Sequence, residues 1–157
     1  MLRIMKSLGE VNFSALMEIY IEGNLEKAEN GRTLLEAEQE FYQYLREVFF
    51  STPGARYCVW TEGEAYISAL RLEPYRDGWL LEAVETRPDQ RRKGYGSKLL
   101  SAVAALPEFS KLYSHIHRRN GPSLRLHERC GFEKVLEYAV YIDGSVNDHC
   151  LTYCRTE

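Results

Sequence analysis

The segment Arg91-Arg92-Lys93-Gly94-Tyr95-Gly96-Ser97 constrains this chain more than any other. It joins a run that alternates like a strand, Leu80 to Thr86, to a run with helical spacing from about Gly94 to Leu106. Three consecutive cations at a helix start sit at the positive end of its dipole, where like charge is disfavoured. The glycines open the backbone so that amide N–H groups point outward together, and those groups with the dipole form an anion site. A bound pyrophosphate would turn the charge clash into a use. The plainer reading is a tight strand-to-helix turn in which the glycines serve geometry alone.

The rest of the chain reads as a mixed α/β order around that loop. Leu2 to Lys6 predicts a first strand, and Asn12 caps a helix from Phe13 to Glu22. Gly23-Asn24 and Asn30-Gly31 punctuate the link to a second helix, which starts at the capping box Thr33-Leu34-Leu35-Glu36 and ends at Pro53-Gly54. Tyr57 to Trp60 and Ala65 to Leu72 flank Glu62-Gly63 as a hairpin, and Leu80 to Thr86 is the next strand. After the loop helix come a strand, Leu112 to Ile116, and a short helix, Ser123 to Arg129. Phe132 to Tyr141 and His149 to Arg155 then form a terminal hairpin around Asp143-Gly144. No repeat, linker or low-complexity tract divides residues 1–157, so one domain is expected.

Composition narrows the function classes. The 157 residues carry 20 basic and 23 acidic side chains, a formal charge of -3, which predicts no general affinity for nucleic acid. No apolar run approaches the roughly 20 residues of a membrane span, so no membrane association is expected. Met1 to Met5 is interrupted too soon by Lys6 to resemble a secretory leader, and the four cysteines lack zinc-site pairing. A cytoplasmic protein with reduced thiols and no metal is the simplest expectation. Charge is unevenly distributed: residues before about Arg56 lean acidic, and Arg87 to Arg119 lean basic. That suits an anionic cofactor with a cationic co-substrate, and equally a solvated surface.

Arg91-x-x-Gly94-x-Gly96, between a strand and a helix, resembles the acyl-CoA pyrophosphate loop of the GNAT acyltransferase superfamily. Asn120-Gly121-Pro122-Ser123-Leu124-Arg125-Leu126-His127-Glu128-Arg129-Cys130-Gly131-Phe132 is similar to that family's second signature. The order of elements matches as well, so the resemblance spans essentially the whole chain. A dinucleotide fingerprint would need glycine where Leu99 stands, and no P-loop ending occurs.

The resemblance implies a mixed α/β fold: a central, mostly antiparallel sheet with one splayed strand pair and helices on both faces. It implies acetyl-CoA as co-substrate, its pantetheine arm along Val84, Glu85 and Thr86 and its pyrophosphate on the amides of Arg92, Lys93, Gly94, Tyr95, Gly96 and Ser97. Arg91, Arg92 and Lys93 either contact outer phosphates or are solvated, and Asn120 and Ser123 lie along the cofactor's other side. The activity implied is transfer of an acetyl group to a primary amine in a ternary complex. Its rivals are a CoA-binding or interaction module without turnover, and a transferase acting on a protein amine.

Where the family often has a tyrosine to protonate the thiolate, this chain has His127. It either donates as imidazolium, hydrogen-bonds the sulfur or fills space. Glu82 is the candidate base, placed by strand alternation on the face of Leu80 and Val84, or else a salt-bridged strand glutamate. Tyr66, Glu22 and His117 are lesser candidates. Glu18, Glu22 and Glu26 fall at helical spacing, and Tyr20, Tyr75, Trp79 and Tyr138 are aromatics that either line an acceptor cleft or belong to the core. The sequence gives a homodimer through the terminal hairpin no weight either way.

Overall fold

In a computed structural model describing all 157 residues, Leu2–Met5 (β1), Arg56–Glu62 (β2), Ala65–Tyr75 (β3) and Gly78–Thr86 (β4) form an antiparallel run. Leu112–His117 (β5) joins β4 in parallel, and the sheet continues through Cys150–Arg155 (β9) to Glu133–Leu136 (β6). The strand order is β1-β2-β3-β4-β5-β9-β6. Between β6 and β9, Ala139–Val140 (β7) and Val146–Asn147 (β8) make a separate small ladder. The expected terminal hairpin is thus two pieces. Pairing with β9 stops at Leu136 after a bulge, and the Thr152 hydroxyl donates to Tyr138 O at 2.6 Å, holding the chain where it leaves the sheet.

Helices cover both faces. Phe13–Ile19 (α1), Ile21–Glu29 (α2) and Leu34–Tyr44 (α3, extended to Phe49 by a wider turn) lie over β1 to β3. Their core contains Leu16, Ile19, Leu45, Phe49, Tyr57 and Val59. Tyr95–Ala104 (α4) lies on the other face over Leu70, Leu72, Leu81 and Leu112, beside Gly121–Arg129 (α5). The caps at Asn12 and Thr33 form as the sequence predicts.

The break after α1 falls at Tyr20 rather than at Gly23-Asn24. Tyr20 Oη donates to Ala83 O at 2.9 Å and accepts from Tyr57 Oη at 2.8 Å, so a tertiary anchor fixes the turn. Gly23 and Asn24 continue as helix, and Asn24 is buried with its amide on Met17 Sδ at 3.5 Å. Val48 recurs at helical spacing with Leu34, Phe41 and Leu45, yet it is exposed because the wider turn rotates it outward. The four cysteines are free, and burial pushes the Cys58 thiol up to about 12, which makes it a core residue rather than a nucleophile.

One glycine sets where β4 and β5 close together. A Cβ on Gly78 would stand 2.4 Å from Lys111 O, the carbonyl that accepts from Trp79 N at 3.0 Å. Gly78→Ala is expected to lower unfolding stability by about 2 kcal/mol, read by urea denaturation, because backbone must move to admit the methyl. A change below about 0.5 kcal/mol would show that this junction yields freely.

Candidate active site

β4 and β5 pair only at Trp79–Leu81 and Leu112–Ser114, then part. Ser114 Oγ donates to Leu81 O at 3.4 Å at the last paired position. On its other edge β4 carries a bulge: the register passes from Arg71↔Glu82 to Ala69↔Glu85, so Ala83 and Val84 together face Leu70. Ala83 adopts φ +54, a left-handed conformation that tightens the kink. The bulge corrects the alternation argument for Glu82. Leu80 and Glu82 share a face, but Val84 turns to the opposite one and packs toward the core under α4.

A cleft of about 650 Å³ opens on that side, between the parted end of β4, the glycine loop and the start of α5. Val84, Glu85, Thr86, Arg91, Arg92, Gly94, Tyr95, Gly96, Ser97, Asn120 and Ser123 all line it. Lys93 does not; its Nζ donates to Gln90 Oε1 at 3.1 Å. Leu126 and Arg129 also line it, unforeseen from the sequence. They repeat every three residues after Ser123, the helix-face spacing that would have found them.

The loop leaves backbone amides open at the start of α4. Arg92 and Gly94 both have positive φ, +64 and +82, and Gly94 caps α4 without a side-chain acceptor. The first-turn amides of Tyr95, Gly96 and Ser97 therefore have no partner inside the helix. A Cβ on Gly96 would meet only Leu126 at 3.5 Å and Thr86 Oγ1 at 3.8 Å, so the glycine chiefly keeps the amide uncovered. Arg91 donates to Glu22 at 2.5 Å, to Glu85 at 3.1 Å and to Thr86 O at 3.3 Å. Glu18 pairs with Arg87 at 3.4 Å. Two of the helix glutamates thus answer cations beside the loop.

Asn120 caps α5, its side chain accepting from Ser123 N at 3.2 Å. His127 is 1% exposed, edge-on to Phe132 at 5.0 Å. Its Nδ1 lies 2.7 Å from Ser123 O, so the ring proton is on Nδ1 and Nε2 is an unpartnered acceptor. Burial lowers its pKa despite that hydrogen bond, keeping the ring neutral.

The opposite face of the sheet at the bulge is polar and half-buried. Glu82 stands across from Arg71, whose guanidinium lies over the rings of Tyr44 at 5.2 Å and Phe49 at 5.7 Å. Burial first, then a hydrogen bond and repulsion from Glu73, push the Glu82 carboxyl up to about 8; Arg71 opposes them. Sequence reading missed Arg71, although a cation inside Ala69-Leu70-Arg71-Leu72 is the kind of interruption that marks it. Tyr20 and Tyr75 are on this face. Trp79 is not: it packs edge-on to Phe109 at 5.0 Å under the α4 side. Tyr66 is buried with its hydroxyl on Asn12 N, and His117 stacks on His149.

A sheet split at one parallel pair, with an uncapped helix start beside the split and helices on both faces, defines a mixed α/β fold with a cleft at the split. A family model described as the acetyltransferase (GNAT) family matches residues 15–132, and the chain belongs to that family. No curated protein matches the sequence. Among solved structures, the PaiA N-acetyltransferase of Thermoplasma acidophilum in complex with coenzyme A is 12% identical, with TM-score 0.67 over 100% of this chain and 99% of that one. An IAA acetyltransferase from Bacillus cereus is 15% identical, TM-score 0.63, covering 99% and 97%. An aminoglycoside 6'-acetyltransferase type Ii is 13% identical, TM-score 0.65, covering 99% and 96%. At these identities the likeness is one of fold.

Proposed function

We propose that this acyltransferase moves the acetyl group of acetyl-CoA to a primary amine by direct attack, both substrates being bound together. The observation that carries the reading is the β4 bulge, with an anion cleft on one face and a carboxyl of raised pKa on the other. The residues present suit the co-substrate: uncapped amides at Tyr95 to Ser97 for the pyrophosphate, and the parted edge of Val84 to Thr86 for the pantetheine amides. A relative in complex with coenzyme A supports the same choice. Acetyl-CoA supplies the acetyl group as an activated thioester.

An amine with pKa near 10.4, the ordinary lysine value of about that size, arrives mostly as ammonium and must lose a proton before it attacks. Glu82, once ionised, takes that proton, and a base whose pKa lies near the working pH is well matched to the task. The Val84 N–H lies in the bulge, where the ladder has no register partner for it, and is the donor we assign to the developing oxyanion. His127, neutral and with its proton engaged by Ser123, serves packing. The departing thiolate is protonated through the open cleft.

His127→Phe is therefore expected to change kcat by less than about threefold in a thiol-release assay, because no proton transfer is lost. A hundredfold fall with unchanged acetyl-CoA affinity would return the acid role to His127. The proposal as a whole is tested by calorimetric titration with acetyl-CoA, followed by thiol release over a panel of amines. Micromolar, saturable binding and turnover are expected. Binding without turnover on any amine would leave a CoA-binding module, and no binding up to millimolar acetyl-CoA would overturn the reading.

A further inference from the structure

Three buried polar atoms without a hydrogen-bond partner lie in a row across the sheet where β4 leaves β5: Arg71 Nε, Glu82 Oε1 and His115 Nε2. Arg71 is opposite Glu82 in the β3–β4 register. Glu82 follows Leu81, whose parallel partner is Ser114, and His115 follows Ser114, so the row continues into β5. All three face away from α4. Arg71 lies among Tyr44, Phe49 and Tyr57, and His115 is edge-on to Tyr75, which shares the Arg71 face of β3, at 5.5 Å. Nearly all buried polar atoms in folded proteins have partners, so three in line single out this row as polar groups that the chain's own hydrogen bonds do not satisfy.

Arg71 decides what kind of ligand. Its guanidinium forms no ion pair. Instead it is held by aromatic faces, which attract a cation without neutralising it. Its cross-strand neighbour Glu82 is mostly protonated at neutral pH and leaves the charge standing. A planar guanidinium so placed is shaped to take a carboxylate through two hydrogen bonds. His115 is neutral, its pKa lowered by burial and then by Arg76, and offers a hydrogen bond rather than a second charge.

We infer that Arg71 binds a carboxylate of the acceptor, and that the acceptor is a small amino acid whose amine reaches Glu82. The inference rests on the proposed acetyl transfer. Side chains directly opposite on antiparallel strands have Cβ atoms about 4.5–5.5 Å apart. Rising from neighbouring positions, the two side chains can take the amine and the carboxylate of one small molecule, and α- and β-amino acids suit that arrangement. His115 meets the remaining polar atoms of the acceptor from the β5 side.

The test compares matched acceptors on the full-length protein: the twenty common amino acids and β-alanine, with the carboxamide and the decarboxylated amine of each active one. In thiol release, the amino acid is expected to exceed its decarboxylated amine by about 10- to 100-fold in kcat/KM, the usual effect of a charged hydrogen-bonded pair. Arg71→Gln is expected to bring that ratio near one, a quantity that does not depend on how much of the variant folds. A decarboxylated amine acetylated as well as its amino acid would overturn the carboxylate site and leave the acetyltransferase reading intact. If no amine turns over, calorimetry of each amino acid against the coenzyme A complex decides. Saturable binding lost in Arg71→Gln supports the site, and no binding up to millimolar overturns it.

Discussion

Glu82→Gln is expected to lower kcat by about 100- to 1,000-fold while leaving acetyl-CoA affinity unchanged, the loss typical of a positioned general base. The substitution keeps shape and removes only the capacity to accept a proton. The pH dependence gives the sharper test. Glu82 has its carboxyl raised from 4.5 to about 8, facing Glu73 and Arg71 on β3 and Tyr44 on α3. Wild-type activity should rise as pH increases through about 8, where Glu82 becomes ionised, and the variant should lose that ascending limb. The same shift carries a stability consequence of opposite sense. A folded-state pKa above the unfolded one means the native protein holds its proton more tightly. The stabilisation is complete below pH 4.5 and is lost as pH rises through about 8; Glu82→Gln should flatten that decline in urea melts at pH 6 and pH 9. A variant with wild-type kcat and an unchanged pH profile would remove Glu82 from the chemistry.

Gly96→Glu is expected to weaken acetyl-CoA binding by about 100-fold, because a carboxylate is set against the pyrophosphate where the loop amides should meet it. The fold should tolerate the change. The new Cβ meets only ordinary contacts with Leu126 and Thr86, and an acidic residue in the first turn of α4 suits the helix dipole. Thermal stability should therefore hold or rise while affinity falls, a separation that unfolding cannot produce. Gly96→Ala is the control, with a loss of about fivefold or less expected. Undiminished binding by Gly96→Glu would move the anion away from this helix start.

Much of the cleft's lining was readable because it is local. Arg91 to Ser97 combines a strand end, two glycines and a helix start within one short stretch, and Asn120 to Ser123 announces a cap by its own spacing. Backbone amides and helix termini are fixed by neighbours in the chain, so a linear pattern suffices to find them. Lys93 escaped because the direction of one long side chain is settled by a contact, here with Gln90.

The opposite face of the sheet could not be read the same way. Strand alternation puts Glu82 on one face with Leu80, as observed, but also with Val84, which is not, since alternation holds only while the ladder is regular and the bulge at Ala83 resets it. The helix break moved to Tyr20 because its hydroxyl reaches Ala83, 63 residues away. His127 was legible as a departure in the second signature, whereas its tautomer depends on the distance to Ser123 O and its neutrality on burial.

The sequence by itself determined the order of elements, the helix caps and the glycine loop, all products of short-range sterics and hydrogen bonding. Tertiary structure decided where β4 and β5 separate, which face each side chain of β4 takes after the bulge, and that Arg71, Glu82 and His115 fall into one row. Those outcomes depend on register between strands distant in the chain and on the low-dielectric environment that packing creates, and neither is a property of any local stretch of residues.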